Sequence, residues 1–170
     1  MRRKVRNRKG FTLAETLIVV LILALLTSAG SVGISAVMAS RVGMVQTADA
    51  QILGSTAFQA IANELRFGQN IKVAGDGKYV VLDSVTYGME KKIFLKGDKA
   101  GKGKLQYSDD AEDQILSESA YSGLSISDLG FVLEDSGSIT ISLEVSGNKG
   151  KLWDGKLAVT PLNGPPETIN

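Results

Sequence analysis

Apolar positions divide the chain into three stretches with different periods. From Thr16 to Ser40 no side chain is charged, and residues 17–26, LIVVLILALL, are almost wholly aliphatic. At about 1.5 Å of rise per residue, a helix of this length crosses a hydrocarbon core of about 30 Å. Residues 41–67 change to an alternation at helical spacing. Val45, Ala48, Ile52, Phe58, Ile61 and Leu65 mark one apolar stripe, and Gln46, Asp49, Gln59 and Glu64 fall largely off it. With no proline before Pro161, the two patterns predict one continuous helix, stopped by Gly68 with Arg66 in its last turn. Residues 11–67 would then measure roughly 85 Å.

Beyond residue 68 the period shortens to two. Strands are expected at residues 78–85, 92–95, 104–107, 129–133, 139–145 and 156–160. The Gly/Lys-rich segment 96–103 and the segment 134–137 read as hairpin turns. Ile139, Ile141, Leu143 and Val145 alternate with Thr140, Ser142 and Glu144, so the aliphatic set is expected to face the helix. Pro161 ends the last strand, and residues 163–170 are expected to be irregular. The expected fold class is α+β: a long N-terminal helix, membrane-spanning in its first half, packed on a small C-terminal antiparallel β-sheet.

Charge adds a direction. The formal net charge of +1 conceals six basic residues, Arg2, Arg3, Lys4, Arg6, Arg8 and Lys9, among the first ten. The rest of the chain holds 13 basic against 18 acidic side chains, a formal charge of −5. Positive charge before an apolar span, with the next basic residue at Arg41, sets the N-terminus in the cytoplasm and the remainder outside. A basic tail alone would also suit nucleic acid, but this one runs straight into hydrocarbon-like sequence without aromatic interleaving.

Three readings of this region compete. One is a secretory signal peptide cut near Ser35-Ala36-Val37. Another is a plain signal anchor. The third is a leader cut before the apolar run. Glu15 bears on the choice, because an isolated carboxylate at the edge of an apolar span is costly unless paired or near the interface. The bland account of Glu15 is a capping box, since Thr12-Leu-Ala-Glu15 fits the S/T-x-x-E pattern.

The run Lys9-Gly10-Phe11-Thr12-Leu13-Ala14-Glu15 resembles the type IV prepilin processing and methylation motif. The basic leader, glycine, phenylalanine, carboxylate and long apolar helix agree in type and order over residues 1–30. The resemblance implies a pilin-like fold and a division into leader (1–10), membrane and filament-core helix (11–40), amphipathic helix half (41–68) and extracytoplasmic β-rich domain (69–170). It implies cleavage between Gly10 and Phe11 by a prepilin peptidase, N-methylation of Phe11, and pairing of Glu15 with the new N-terminal amine of a neighbouring subunit. Glycine at the cut lets the backbone lie extended in a cleft. Opposite charges taken together into lipid or a helix bundle cost less than either alone. The implied partners are the peptidase, other pilin or pseudopilin subunits, an inner-membrane assembly platform, the bilayer before assembly, and nucleic acid only in a DNA-uptake system. The implied location is the cytoplasmic membrane, single-pass, and then a pilus or pseudopilus at the cell surface. Many members carry a proline in the membrane half. Here Gly30-Ser-Val-Gly33 stands instead, and softening of the helix and close packing against a neighbour account for it equally well.

Other chemistry is sparse. The chain has no His and no Cys, which removes the usual general base, thiol catalysis, disulfides and the commonest transition-metal ligands. No enzyme and no cofactor is expected. Asp109, Asp110, Glu112 and Asp113 are weak candidates for a calcium site without the EF-hand pattern, and a solvated acidic loop explains them better. Trp153 reads as a lid over a sheet edge or as an exposed contact. The expected function is a structural subunit of a type IV pilus-like filament. The alternatives are a pseudopilin of a type II secretion or competence system, and a membrane-anchored surface module that never polymerises.

Overall fold

The computed structural model describes residues 12–97, 103–107 and 114–169. It divides into two compact units, Met1–Gly43 and Met44–Asn170. The helix α1 (Leu13–Phe67) contributes to both.

Within the first unit α1 is apolar on every side. An 18-residue window has a mean hydropathy of 2.5, and none of it is buried against the rest of the chain. Three of its hydroxyls bond to carbonyls within the helix. Thr16 Oγ1 donates to the carbonyl of Leu13 at 2.8 Å, Thr27 Oγ1 to that of Leu23 at 2.8 Å, and Ser28 Oγ to that of Leu25 at 2.9 Å. Hydroxyls bonded in this way to the helix backbone are compatible with a hydrocarbon environment. The helix runs unbroken through Gly30 and Gly33, and no atom of the chain lies near the space a Cβ would take there.

Within the second unit α1 is amphipathic and packs on a curled sheet of order β7-β6-β5-β4-β3-β2-β1-β8. The strands are β1 (Gln69–Ala74), β2 (Tyr79–Ser84), β3 (Gly88–Gly97), β4 (Gly103–Gln106), β5 (Ser125–Leu133), β6 (Ile139–Gly147), β7 (Gly150–Val159) and β8 (Glu167–Ile169), with a short helix α2 (Glu118–Tyr121) between β4 and β5. Consecutive strands pair antiparallel, and β8 lies parallel to β1. The expected α+β architecture of a long helix on an antiparallel sheet is present. Ile139, Ile141, Leu143 and Val145 are all buried, as the alternation predicts. The turn at 134–137 closes as expected, with Gly137 N–H on the Glu134 carbonyl at 2.9 Å.

Four expectations need correction. The buried helix face is Ala50, Leu53, Ala57, Phe58, Ile61, Ala62 and Leu65, whereas Val45 and Ile52 are exposed, at 59% and 63%, and so is Ala48. The helix carries two apolar stripes, and periodicity alone does not say which one the sheet covers. Strand β1 begins directly after Gly68 with Gln-Asn, so its polar start hid it. The tail expected to be irregular supplies β8, because the free backbone groups of the β1 edge attract a strand whatever its side chains. The last long strand, β7, also starts six residues earlier than expected and ends one residue sooner, before Pro161.

Where β4 meets β5, Gly103 and Ile126 are the one pair among the described residues. At the other end of β5, the Phe131 N–H donates to the Gly77 carbonyl at 2.7 Å. Gly77 has φ 68°, and a Cβ on it would stand 2.7 Å from the Phe131 carbonyl oxygen, so this crossing requires glycine. Trp153 on β7 packs edge-on against Phe58, with centroids 5.5 Å apart, and its ring fills the place where residue 54 would carry a Cβ. Half-buried on an edge strand, it forms the lid expected of it. The C-terminus of α1 is capped by the segment after β7: Leu162 N–H reaches the Arg66 carbonyl at 3.0 Å and Asn163 Nδ2 the Phe67 carbonyl at 2.7 Å.

Candidate functional site

The candidate site is the start of α1. Thr12 stands before the first helical turn. Its backbone N–H and its Oγ1 both donate to Glu15 Oε2, at 3.0 and 3.1 Å, while the Glu15 N–H donates back to Thr12 Oγ1 at 3.3 Å. This is a complete reciprocal capping box, so the local account of Glu15 holds. A carboxylate here also offsets the positive end of the helix dipole. The box consumes part of one carboxylate oxygen and leaves an exposed acceptor at the head of an apolar helix. Gly10 and Phe11, the expected cleavage and methylation positions, lie outside the described residues.

Downstream of Glu15, Leu17, Val20, Leu21 and Ala24 line one shallow apolar face with Leu13 and Thr16. Leu17 is 63% exposed and Val20 65%. Burying such a side chain is worth about 1.5–3 kcal/mol each. None of this window is buried against the rest of the described chain, which is consistent with a single membrane-spanning segment.

The second unit holds two further polar groupings. A cleft of about 490 Å³ is lined by Asn70, Lys72, Asp83, Glu90, Asn163 and Glu167. Asn70 and Glu90 have left-handed backbones, φ 50° and 52°. Asp83 holds both: its Oδ2 accepts from Asn70 Nδ2 at 2.6 Å and its Oδ1 from the Glu90 N–H at 2.8 Å. The Glu90 amide, then the Asn70 amide, hold its carboxyl below the usual carboxylate range. Asp83 is thereby committed to fixing backbone geometry. The other grouping joins α1 to the β2–β3 turn. Ser84 Oγ donates to Glu64 Oε2 at 2.6 Å and accepts the Thr86 and Tyr87 N–H groups at 3.0 Å each. Tyr87 stacks on Tyr107, whose hydroxyl is pushed up chiefly by burial and further by the Glu64 charge. Sequence reading placed Glu64 off the apolar stripe and had no signal for its partner twenty residues away.

Asp109, Asp110, Glu112 and Asp113 lie outside the described residues. Among the described residues no group of three acidic side chains is placed to hold a metal ion. None of these groupings forms a recognisable catalytic set.

Comparison with known families gives one finding. Residues 5–31 match the family described as the prokaryotic N-terminal methylation motif. Curated proteins and solved structures give no significant match. The chain thus carries a prepilin-type N-terminal motif at the head of a long helix packed on an antiparallel sheet, an arrangement consistent with the broad type IV pilin and pseudopilin superfamily.

Proposed function

We propose that this protein is a structural subunit of a type IV pilus-like filament. It is made as a single-pass precursor in the cytoplasmic membrane, N-terminus inside. A prepilin peptidase cuts it after Gly10 and methylates Phe11, and an inner-membrane platform assembles it through α1. The observation that carries the reading is a helix whose first thirty residues bury no apolar side chain among those described and which begins inside the methylation motif.

Glu15 has two successive partners in this scheme. In the isolated subunit Thr12 satisfies it. In the filament the N-terminal ammonium of a neighbour takes one of its oxygens, since two opposite charges buried together cost less than either buried alone. The intact mass and first residue of the protein from its own host test the processing step. A chain starting at Phe11 and heavier by one methyl group is expected, and one starting at Met1 overturns the proposal. Glu15→Gln keeps the capping pattern and removes the charge. It is expected to lower filament yield at least tenfold by electron microscopy with processing intact, and normal filaments would remove Glu15 from the scheme.

A further inference from the structure

The outer face of strands β1 to β4 carries a pattern of its own. Directly paired residues on neighbouring strands share a face, so the register of β1 to β4 reads as rows. One row is Lys72, Val81 and Lys92. The next is Tyr79, Phe94 and Gln106. The third is Lys96 opposite Lys104. The alternate residues Val80, Leu82, Ile93 and Leu105 are fully buried in the core, so these rows lie on the other side. Successive rows stand about 7 Å apart, two residues of strand rise.

An aromatic row is therefore bracketed by lysines. Lys72, Lys92 and Lys96 are exposed, and Tyr79 and Phe94 are half-buried. The Lys92 ammonium sits 3.8 Å from the centroid of the Tyr79 ring and 5.5 Å from that of Phe94. Gln106 is 5% exposed, so the open part of the row is Tyr79 and Phe94. Lys96 and Lys104 face each other across β3 and β4, where like charges weaken a sheet. Lys104 is ion-paired with Glu118. Asp83, which attracts Lys72, bounds the platform towards the β2–β3 turn.

We infer that this face binds single-stranded nucleic acid. Rings on adjacent strands of an open sheet face stack on unpaired bases, and flanking lysines follow the phosphates. Tyr79 and Phe94 take the bases. Lys72, Lys92 and Lys96 take phosphates, with Lys92 swinging off Tyr79 as a base moves over the ring. A duplex keeps its bases stacked on each other and cannot use the rings. An acidic polysaccharide satisfies the lysines but offers no planar base. The inference rests on the fold of the second unit and is independent of filament assembly.

The test is fluorescence anisotropy of labelled dT20 with the full chain in detergent micelles. Replacing three phosphate contacts by Lys72→Gln, Lys92→Gln and Lys96→Gln together is expected to weaken binding about a hundredfold at 0.1 M salt. Thermal melting verifies that this variant folds. Lys96→Glu serves as a second variant, expected to weaken binding, with thermal melting again verifying its fold. A 4-thiothymidine oligonucleotide is expected to cross-link to the segments holding Tyr79 and Phe94. Equal affinity in parent and variants, cross-links confined to the basic residues 2–9, or tighter binding of duplex or acidic polysaccharide at equal charge would each overturn the inference.

Discussion

The two halves of α1 share one secondary structure and differ in everything that covers it. Before Gly43 the described apolar side chains are exposed, with none of the most apolar window buried. After Met44 one stripe, from Ala50 to Leu65, is buried in a sheet core while Val45 and Ile52 stay exposed. The first half draws its internal order from backbone bonds and must borrow an environment. The second half is held by packing. A helix forms equally well in both settings, so helicity by itself says nothing about what surrounds it.

Core truncation breaks the comparison most sharply. Phe131→Ala removes a ring at the centre of the second unit and is expected to cost about 3–5 kcal/mol in urea unfolding. Leu21→Ala, in the first half, is expected to leave the same transition within about 0.5 kcal/mol. Equal effects would mean that the first half also packs on the domain.

Gly54→Leu tests the contact between helix and lid. The new side chain would need the space of the Trp153 ring, so a loss of about 1–3 kcal/mol is expected. Trp153, the only tryptophan, should shift its emission to the red as it is expelled.

A smaller effect is expected at the other end of the helix. Thr12→Val removes the side-chain half of the capping box, worth about 1 kcal/mol. Amide exchange in the first turn should quicken about fivefold, with no change in the melting of the second unit.

The smallest effect is electrostatic. The folded-state pKa of Asp83 lies below its ordinary 3.8, so the folded form favours the carboxylate. Its stabilisation is present above about pH 4 and disappears as the pH falls through the lowered folded value. Asp83→Asn should flatten the acid limb of thermal stability against pH. An unchanged limb would place the acid sensitivity elsewhere.

Much of this was legible because the signals are local. Helix termination at Gly68 and the alternation from Ile139 to Val145 depend on neighbours in sequence. The reciprocal bonds of Thr12 and Glu15 span three residues, and the pattern for them is visible in the chain. The misreadings share a different cause. Val45 and Ile52 have the same helical spacing as residues that are buried, and β8 forms because an unpaired edge of β1 was available. Glu64 and Ser84 meet only once α1 and the β2–β3 turn are brought together.

The amino-acid sequence by itself determined the uncharged span, the basic segment before it, the motif around Glu15 and the change of period from 3.6 to two. Each follows from side-chain type and chain geometry over a few residues. Only the tertiary structure decided which helix stripe is core, that the tail completes the sheet, that Trp153 closes over Gly54, and that Tyr79 and Phe94 stand between rows of lysine. Those outcomes depend on strand register, and register is fixed by the competition of all strands for partners and burial at once.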